Sequence, residues 1–118
     1  MTAPLSVLVV DDVEDQRELL RTHLERAGCT VHAIADPVDL EAAVASSVPD
    51  AAIVDLLMPT SDGWTVLETL RRTNPAMSLV IASVLDATDY PESDETLPKP
   101  FSGADVRALV ARLEARRR

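Results

Sequence analysis

The 118-residue sequence predicts an α/β fold: a doubly wound parallel sheet with helices on both faces. Short apolar runs alternate with helical patterns along the chain, and the connections between them are brief. Repeated strand–helix units of this kind give parallel strands and right-handed crossovers. Hydrophobic residues make up 47% of the chain, and a chain of this size buries roughly two thirds of its unfolded surface. We therefore expect one domain over residues 1–118.

Five apolar runs are the predicted strands: residues 5–10, 30–35, 51–55, 77–83 and 96–98. The third run is a continuous apolar segment that ends at Asp55, which is typical of a strand buried on both faces. Pro59 cannot continue a central strand, so this strand should end at or just after Asp55. Pro98 restricts the last strand to an edge of the sheet.

Helical patterns follow four of these strands. Gly28 is placed to end the first helix as its left-handed C′ residue. Asp36 and Pro37 are a good helix start, with a capping carboxylate before a proline. Ser102 and Asp105 have the spacing of a capping box at the start of the last helix. The arginines that follow that helix are predicted to be a favourable helix terminus with solvated charges.

The fourth crossover, residues 84–95, departs from this pattern. It is rich in Asp, Glu and Ser and contains Pro91. A parallel crossover needs about a dozen residues including its helix, which this segment barely supplies. We predict that the fourth helix is missing or reduced to a turn.

Charge and composition exclude several classes of function. The net charge of −9 argues against direct nucleic-acid binding, which needs a basic face. No apolar run reaches the roughly 18 residues of a membrane span, and the N-terminus lacks the basic region of a secretory signal. A cytoplasmic location without membrane contact is therefore expected. Cys29, the single cysteine, excludes an internal disulfide and a cysteine metal cluster.

Polar residues stand at the ends of four predicted strands: Asp11 with Asp12, then Asp55, Ser83 and Lys99. The carboxyl ends of parallel strands meet at one edge of a sheet, so these side chains can converge. Each has an ordinary alternative as a helix cap, a turn residue or a solvated charge. Four such coincidences at the ends of four of the five predicted strands favour a functional site.

The chemistry of such a site follows from its charges. Three carboxylates in one crevice repel one another, and a hard divalent cation such as Mg²⁺ would relieve that repulsion. One carboxylate could act as a nucleophile toward a phosphoryl group. Lys99 and Mg²⁺ would neutralise the phosphoryl oxygens, and the Ser83 hydroxyl could hydrogen-bond one of them.

The sequence resembles the receiver domain of response regulators in two-component signalling. The matching segments are Val9-Val10-Asp11-Asp12, Asp55-Leu56-Leu57-Met58-Pro59 with Asp62-Gly63, Ser83, and Lys99-Pro100-Phe101. The resemblance covers essentially the whole chain. It implies a flavodoxin-like fold with strand order 2-1-3-4-5, from which the fourth crossover of this chain departs.

The resemblance also implies a role for each site residue. Asp55 would receive a phosphoryl group from a phosphohistidine on a sensor histidine kinase or a histidine phosphotransfer protein. Asp12, Asp55 and the backbone carbonyl of Leu57 would hold Mg²⁺, with Asp11 acting mostly through water. Lys99 would pair with the acceptor carboxylate and then with the phosphate.

The resemblance further implies a cis peptide bond between Lys99 and Pro100. Such a domain promotes only its own phosphoryl transfer and dephosphorylation, so we do not expect an enzyme with a separate substrate. We expect a stand-alone domain that signals by contact with a downstream protein, as a monomer or weak dimer.

Several positions depart from the receiver pattern. Receivers usually carry Tyr or Phe three residues before the lysine, where this chain has Thr96. The residue after Ser83 is usually small, and here it is Val84. Either the output face lies elsewhere, or residues 84–95 become ordered on phosphorylation. Leu57 and Leu85 would flank the crevice, and because neither can position an attacking water, a slowly decaying phosphoaspartate is expected.

Two other functions stay open at this point. A non-phosphorylated pseudo-receiver would keep the fold as an interaction module, which the departures favour and the intact site residues oppose. A small Mg²⁺-dependent aspartyl phosphatase would want a second Asp where Leu57 stands, and it would need an inserted cap that the chain lacks.

Overall fold

A computed structural model describes residues 3–58 and 61–117. Five parallel strands form one sheet in the order β2-β1-β3-β4-β5. The strands are β1 (Ser6–Val10), β2 (Thr30–Ile34), β3 (Ala51–Asp55), β4 (Ser78–Ser83) and β5 (Glu95–Pro98). A two-residue antiparallel ladder, Leu57–Met58 with Ser61–Asp62, follows β3. The predicted fold class and strand order are confirmed.

Helices cover both faces of this sheet. They are α1 (Glu14–Arg26), α2 (Leu40–Ser46), α3 (Gly63–Thr73) and α4 (Gly103–Arg116). Apolar residues of α1 and α4 belong to one buried cluster, and those of α2 and α3 belong to a second. Within the described parts of the chain, no helix has the length and apolar character that crossing a membrane requires.

The central strands supply both clusters by alternation. Val7 and Val9 of β1 join the α1–α4 cluster, whereas Leu8 and Val10 join the α2–α3 cluster. Successive side chains of a strand point to opposite faces of the sheet. A strand covered on both faces therefore carries an unbroken apolar run, as the sequence of β3 also does.

Local signals in the sequence set most helix ends. Gly28 has a φ of 93°, a left-handed conformation that ends the α1 region. Asp36 accepts a hydrogen bond from the Val38 amide, but the chain first forms a 3₁₀ turn, and the regular helix begins at Leu40. Ser102 forms the predicted capping box at the start of α4.

The fourth crossover contains only a 3₁₀ turn, Ala87–Asp89, which confirms the prediction that its helix is reduced. As a result, Thr96 and Pro98 of β5 are exposed, whereas Leu97 is buried against the α1–α4 cluster. Two apolar side chains of the crossover, Leu85 and Tyr90, pack instead against the α2–α3 cluster.

The arginines at the end of α4 are not simply solvated, contrary to the sequence-based expectation. Arg116 lies 3.0 Å from the Glu95 carboxylate and donates to the Asp94 carbonyl. Arg112 lies 2.6 Å from the same Glu95 carboxylate. Arg117 pairs with Asp50 and Glu114, and Arg118 lies outside the described residues. Burial alone would raise the pKa of Glu95, but the two arginines lower it on balance.

Candidate functional site

Strand register places the predicted residues at one level of the sheet. Val10 of β1 pairs with Val54 of β3, so Asp11 and Asp55 follow at neighbouring positions. Asp55 pairs with Ala82 of β4, the residue before Ser83. Ser83 in turn pairs with Pro98 of β5, and Lys99 comes next. The carboxyl edge of the sheet therefore brings together the residues that the sequence predicted.

Three carboxylates form the floor of this crevice. One oxygen each from Asp11, Asp12 and Asp55 lies within 4.8 Å of the others. Asp11 is 3% exposed and Asp55 is 5% exposed, so both are buried. Burying carboxylates is costly unless they are paired or ligated. The site must therefore contain, or be able to recruit, positive charge.

Lys99 supplies part of that charge. Its Nζ donates to Asp11 Oδ2 at 3.0 Å and to Asp55 Oδ2 at 3.3 Å. Its backbone amide donates to the Ser83 carbonyl at 2.8 Å, which fixes the chain as it leaves β5. The peptide bond from Lys99 to Pro100 is cis, as the family resemblance implied. The lone lysine of the sequence thus bridges two of the three carboxylates.

Two sets of effects act in opposite directions on the pKa of the Asp55 carboxyl group. Burial raises the pKa of its carboxyl group, and the nearby Asp11 adds to that rise. Lys99 and the Leu57 amide, which donates to Asp55 Oδ1 at 3.0 Å, act in the opposite direction. The net shift is upward. The surroundings of Asp55 therefore compensate its negative charge only partly.

The turn after β1 is held by two hydrogen bonds that involve Asp11. Its Oδ1 accepts from the Val13 amide at 3.0 Å. Its backbone carbonyl accepts from Nη1 of Arg17, in the first turns of α1, at 3.0 Å. This contact of Arg17 was not identified from the sequence. A basic residue about one helical turn beyond the acidic pair is the signal that could have indicated it.

Asp12 gives the clearest indication that this site can hold a cation. Its Oδ1 is buried, and among the described residues it has no hydrogen-bond partner. Buried carboxylate oxygens in proteins are normally paired or bound to metal. Three converging carboxylates with an unpartnered oxygen are a suitable set of hard ligands for Mg²⁺. The residues present therefore fit the divalent cation that the sequence predicted.

Ser83 is fully buried and lies at the centre of a small network. Its Oγ accepts from the Leu85 amide at 3.1 Å. Its carbonyl accepts from the Lys99 amide and also from the Tyr90 hydroxyl, the latter at 3.0 Å. Sequence reasoning left Tyr90 without a role. A single tyrosine in an otherwise acidic and polar crossover is the sequence feature that could have indicated a contact of this residue with the sheet.

Close packing holds α3 against the strand that carries Asp55. A Cβ atom added to Gly63 would lie 2.3 Å from the Asp55 carbonyl oxygen and 2.6 Å from the Leu56 Cα. Asp62 caps the helix by accepting from the Trp64 amide. Trp64, the second residue of α3, is 39% exposed.

Comparison with known proteins agrees with this geometry. The family model of the response regulator receiver domain matches residues 7–111. Response regulator MprA of Mycobacterium sp. (strain KMS) is 33% identical over 118 residues, which cover 95% of this chain and 50% of that protein. The transcriptional regulatory protein GltR of Pseudomonas aeruginosa is 31% identical over 118 residues, covering 93% of this chain and 48% of that protein.

A solved structure shows the same fold. The receiver domain of Francisella response regulator 1452 superposes with a TM-score of 0.83 at 28% identity, covering 96% of this chain and 98% of that one. The chain spans about half the length of the curated relatives it matches. The match to the family model covers nearly the whole chain, and the strand order is the one that the family resemblance implied. The chain therefore belongs to the response regulator receiver domain family of two-component signalling.

Proposed function

We propose that Asp55 is the phosphoacceptor and that the carboxyl edge of the sheet is a working phosphoryl-transfer site. One observation supports this above all. Lys99 lies between Asp11 and Asp55 at 3.0 and 3.3 Å, beside a buried Asp12 oxygen that has no partner among the described residues. A site that served only structure would not leave a buried carboxylate oxygen unpaired.

The transfer step itself is a simple displacement. A carboxylate oxygen of Asp55 attacks the phosphorus of a phosphohistidine, and an O–P bond forms as the N–P bond breaks. The imidazole of the donor leaves and takes up a proton. Lys99 contributes by favouring the charged form of Asp55, in opposition to the effect of burial. The product is an acyl phosphate on a buried side chain of the receiver.

Asp12, Asp55 and the backbone carbonyl of Leu57 would hold Mg²⁺, and Asp11 would act mostly through water. When bound, Mg²⁺ supplies positive charge for the oxygens of the transferring phosphoryl group. Lys99 would exchange its contact with Asp55 for a contact with the phosphate, while keeping its contact with Asp11. The Ser83 hydroxyl would donate a hydrogen bond to a phosphoryl oxygen.

The partners we propose follow from this chemistry. The donor is a sensor histidine kinase or a histidine phosphotransfer protein in the cytoplasm, and the signal leaves by contact with a downstream protein. The domain over residues 1–118 promotes only its own phosphorylation and dephosphorylation. Because Leu57 is 44% exposed and apolar at the rim of the crevice, we expect no side chain there to orient an attacking water. The phosphoaspartate should therefore decay slowly.

Intact-mass spectrometry tests this proposal. The protein is incubated with acetyl phosphate, with and without Mg²⁺, as wild type, as Asp55→Asn and as Asp62→Asn. The matched control, Asp62→Asn, makes the same change at an exposed helix cap outside the crevice. We expect one phosphoryl adduct that requires Mg²⁺, is absent from Asp55→Asn and persists in Asp62→Asn. An adduct that survives in Asp55→Asn would refute the assignment of the acceptor.

The pseudo-receiver alternative has one specific observation in its favour. Thr96 is exposed on a strand face that the reduced crossover does not cover. If neither acetyl phosphate nor a phosphohistidine donor modifies a folded protein that binds Mg²⁺, this alternative replaces the proposal.

A further inference from the structure

The segment 84–94 takes the place of a helix and reaches the phosphoryl site at Ser83. Two hydrogen bonds join them. The Leu85 amide donates to Ser83 Oγ at 3.1 Å, and the Tyr90 hydroxyl donates to the Ser83 carbonyl at 3.0 Å. Both therefore end on Ser83, the last residue of β4 and the neighbour of Ala82, which pairs with Asp55. Any movement of Ser83 must alter at least one of them.

Tyr90 is also an anchor for the segment. Together with Leu85 it packs against the α2–α3 cluster, on the face of the sheet that the missing helix would cover. Burial and the nearby Asp86 raise the pKa of its hydroxyl, while Lys99 opposes them. The hydroxyl therefore stays protonated at neutral pH and keeps donating. Its ring and its hydroxyl have separable functions, the first in packing and the second in the contact with Ser83.

The far end of the segment is fixed independently of the site. Asp94 extends the pairing of β5 with β4, because its amide donates to the Leu79 carbonyl and its side chain accepts from the Leu79 amide. Arg71 of α3 donates to the Glu92 carbonyl. Between these anchors and Ser83 lies the 3₁₀ turn Ala87–Asp89. The part of the segment that can move when Ser83 moves is therefore the 3₁₀ turn, which immediately precedes Tyr90.

We propose that Tyr90 is a positioning residue that ties segment 84–94 to Ser83, so that this segment changes when Asp55 carries a phosphoryl group. The inference rests on the proposed phosphorylation of Asp55. A phosphoryl oxygen draws the Ser83 hydroxyl toward β3 and away from the Leu85 amide. The Tyr90 hydroxyl, held on the Ser83 carbonyl, passes that shift to the 3₁₀ turn. The signal thus leaves through a short loop whose tyrosine lies outside the sheet.

Hydrogen exchange measured by mass spectrometry tests the link, on the same samples whose intact mass reports the phosphoryl adduct. Wild type, Tyr90→Phe and Ser93→Ala are compared with and without acetyl phosphate and Mg²⁺. Tyr90→Phe removes the hydroxyl and keeps the ring. Ser93→Ala is the matched control, because the Ser93 hydroxyl also donates to a backbone carbonyl of this region, that of Glu95, but does not reach Ser83.

In wild type and in Ser93→Ala, phosphorylation should accelerate exchange of the amides from Leu85 to Tyr90 by roughly threefold, the scale of one net hydrogen bond. In Tyr90→Phe the adduct should still form, while less than half of that change remains beyond Leu85. A role in packing alone predicts that Tyr90→Phe behaves as wild type, and that result would overturn the inference. So would a full adduct with unchanged exchange in wild type. If no adduct forms, the mass spectrum shows that the proposed function has failed, and the inference fails with it.

Discussion

Gly63 offers a stringent test of how the site is built. A Cβ atom at this position would lie 2.3 Å from the Asp55 carbonyl oxygen and 2.6 Å from the Leu56 Cα. Real Cβ contacts essentially never fall below 3.0 Å, so α3 would have to retreat by about 0.7 Å. The obstructing atoms are backbone atoms of β3 and the residue after it. No change of side-chain rotamer can relieve the clash.

The expected cost of Gly63→Ala follows from that geometry. Overpacking a close contact typically costs about 1–3 kcal/mol, and a backbone obstruction places this change near about 3 kcal/mol. For a domain of this size, each kcal/mol corresponds to roughly 4 °C in Tm. Gly63→Ala should therefore lower the Tm by about 12 °C. Any part of the clash that β3 relieves instead displaces the backbone of Asp55, so phosphorylation by acetyl phosphate should slow in the fraction that remains folded.

Gly103→Ala is the matched control, because Gly103 is the first residue of α4 as Gly63 is of α3. The atoms nearest to its added Cβ would belong to the His23 ring, at 3.2 Å, and the Arg107 guanidinium, at 3.3 Å. Both are side-chain ends that can move. The two variants are compared by thermal unfolding followed by circular dichroism. A Gly63→Ala Tm within about 3 °C of wild type, or an equal loss in Gly103→Ala, would refute the close-packing argument.

Three further predictions follow from the charges. Asp55→Asn should raise the Tm by a few degrees at neutral pH, because the raised pKa of Asp55 means that its charged form opposes folding; the gain should vanish below about pH 3.9, where the unfolded carboxyl is protonated. Glu95→Gln should lower the free energy of unfolding by about 1 kcal/mol at pH 7. Since the pKa of Glu95 is depressed in the folded protein, thermal melts should show this deficit shrinking as the pH falls below the pKa of an ordinary glutamate and vanishing once the folded carboxyl is protonated. Asp12→Asn should weaken Mg²⁺ binding at least about tenfold in calorimetric titration, whereas Asp62→Asn should bind as wild type does.

The central sheet and its site could be predicted because strong local signals agreed with one another. Apolar runs bounded by Asp11, Asp55 and Ser83 located three strand ends, and the parallel topology then forced those ends together. A buried strand admits only one register, because a slip of one residue would exchange its two faces. Lys99 was placed by its position after the fifth run. The helix starts were less certain, and the chain from Asp36 chose a 3₁₀ turn first.

The contacts that cross between distant elements could not be read in this way. The pairing of Arg112 and Arg116 with Glu95 depends on how α4 lies against β5, which no spacing in the sequence specifies. The contact of Tyr90 with Ser83 depends on the path of an irregular loop. Propensity rules showed that the fourth crossover would lack a helix. Such rules do not predict where an individual side chain of an irregular loop lies.

The loss of the crossover helix leaves the site intact for a structural reason. Ser83 is held on both sides by strand pairing, because Ala82 pairs with Asp55 and Ser83 itself pairs with Pro98. Lys99 is fixed by its amide bond to the Ser83 carbonyl. Neither constraint passes through residues 84–94, so the geometry of the acidic crevice does not need a fourth helix. What the helix would have covered is the outer half of one sheet face, and Tyr90 occupies part of that space. The chain can therefore keep the acidic crevice of a receiver while a loop with one 3₁₀ turn replaces the fourth helix.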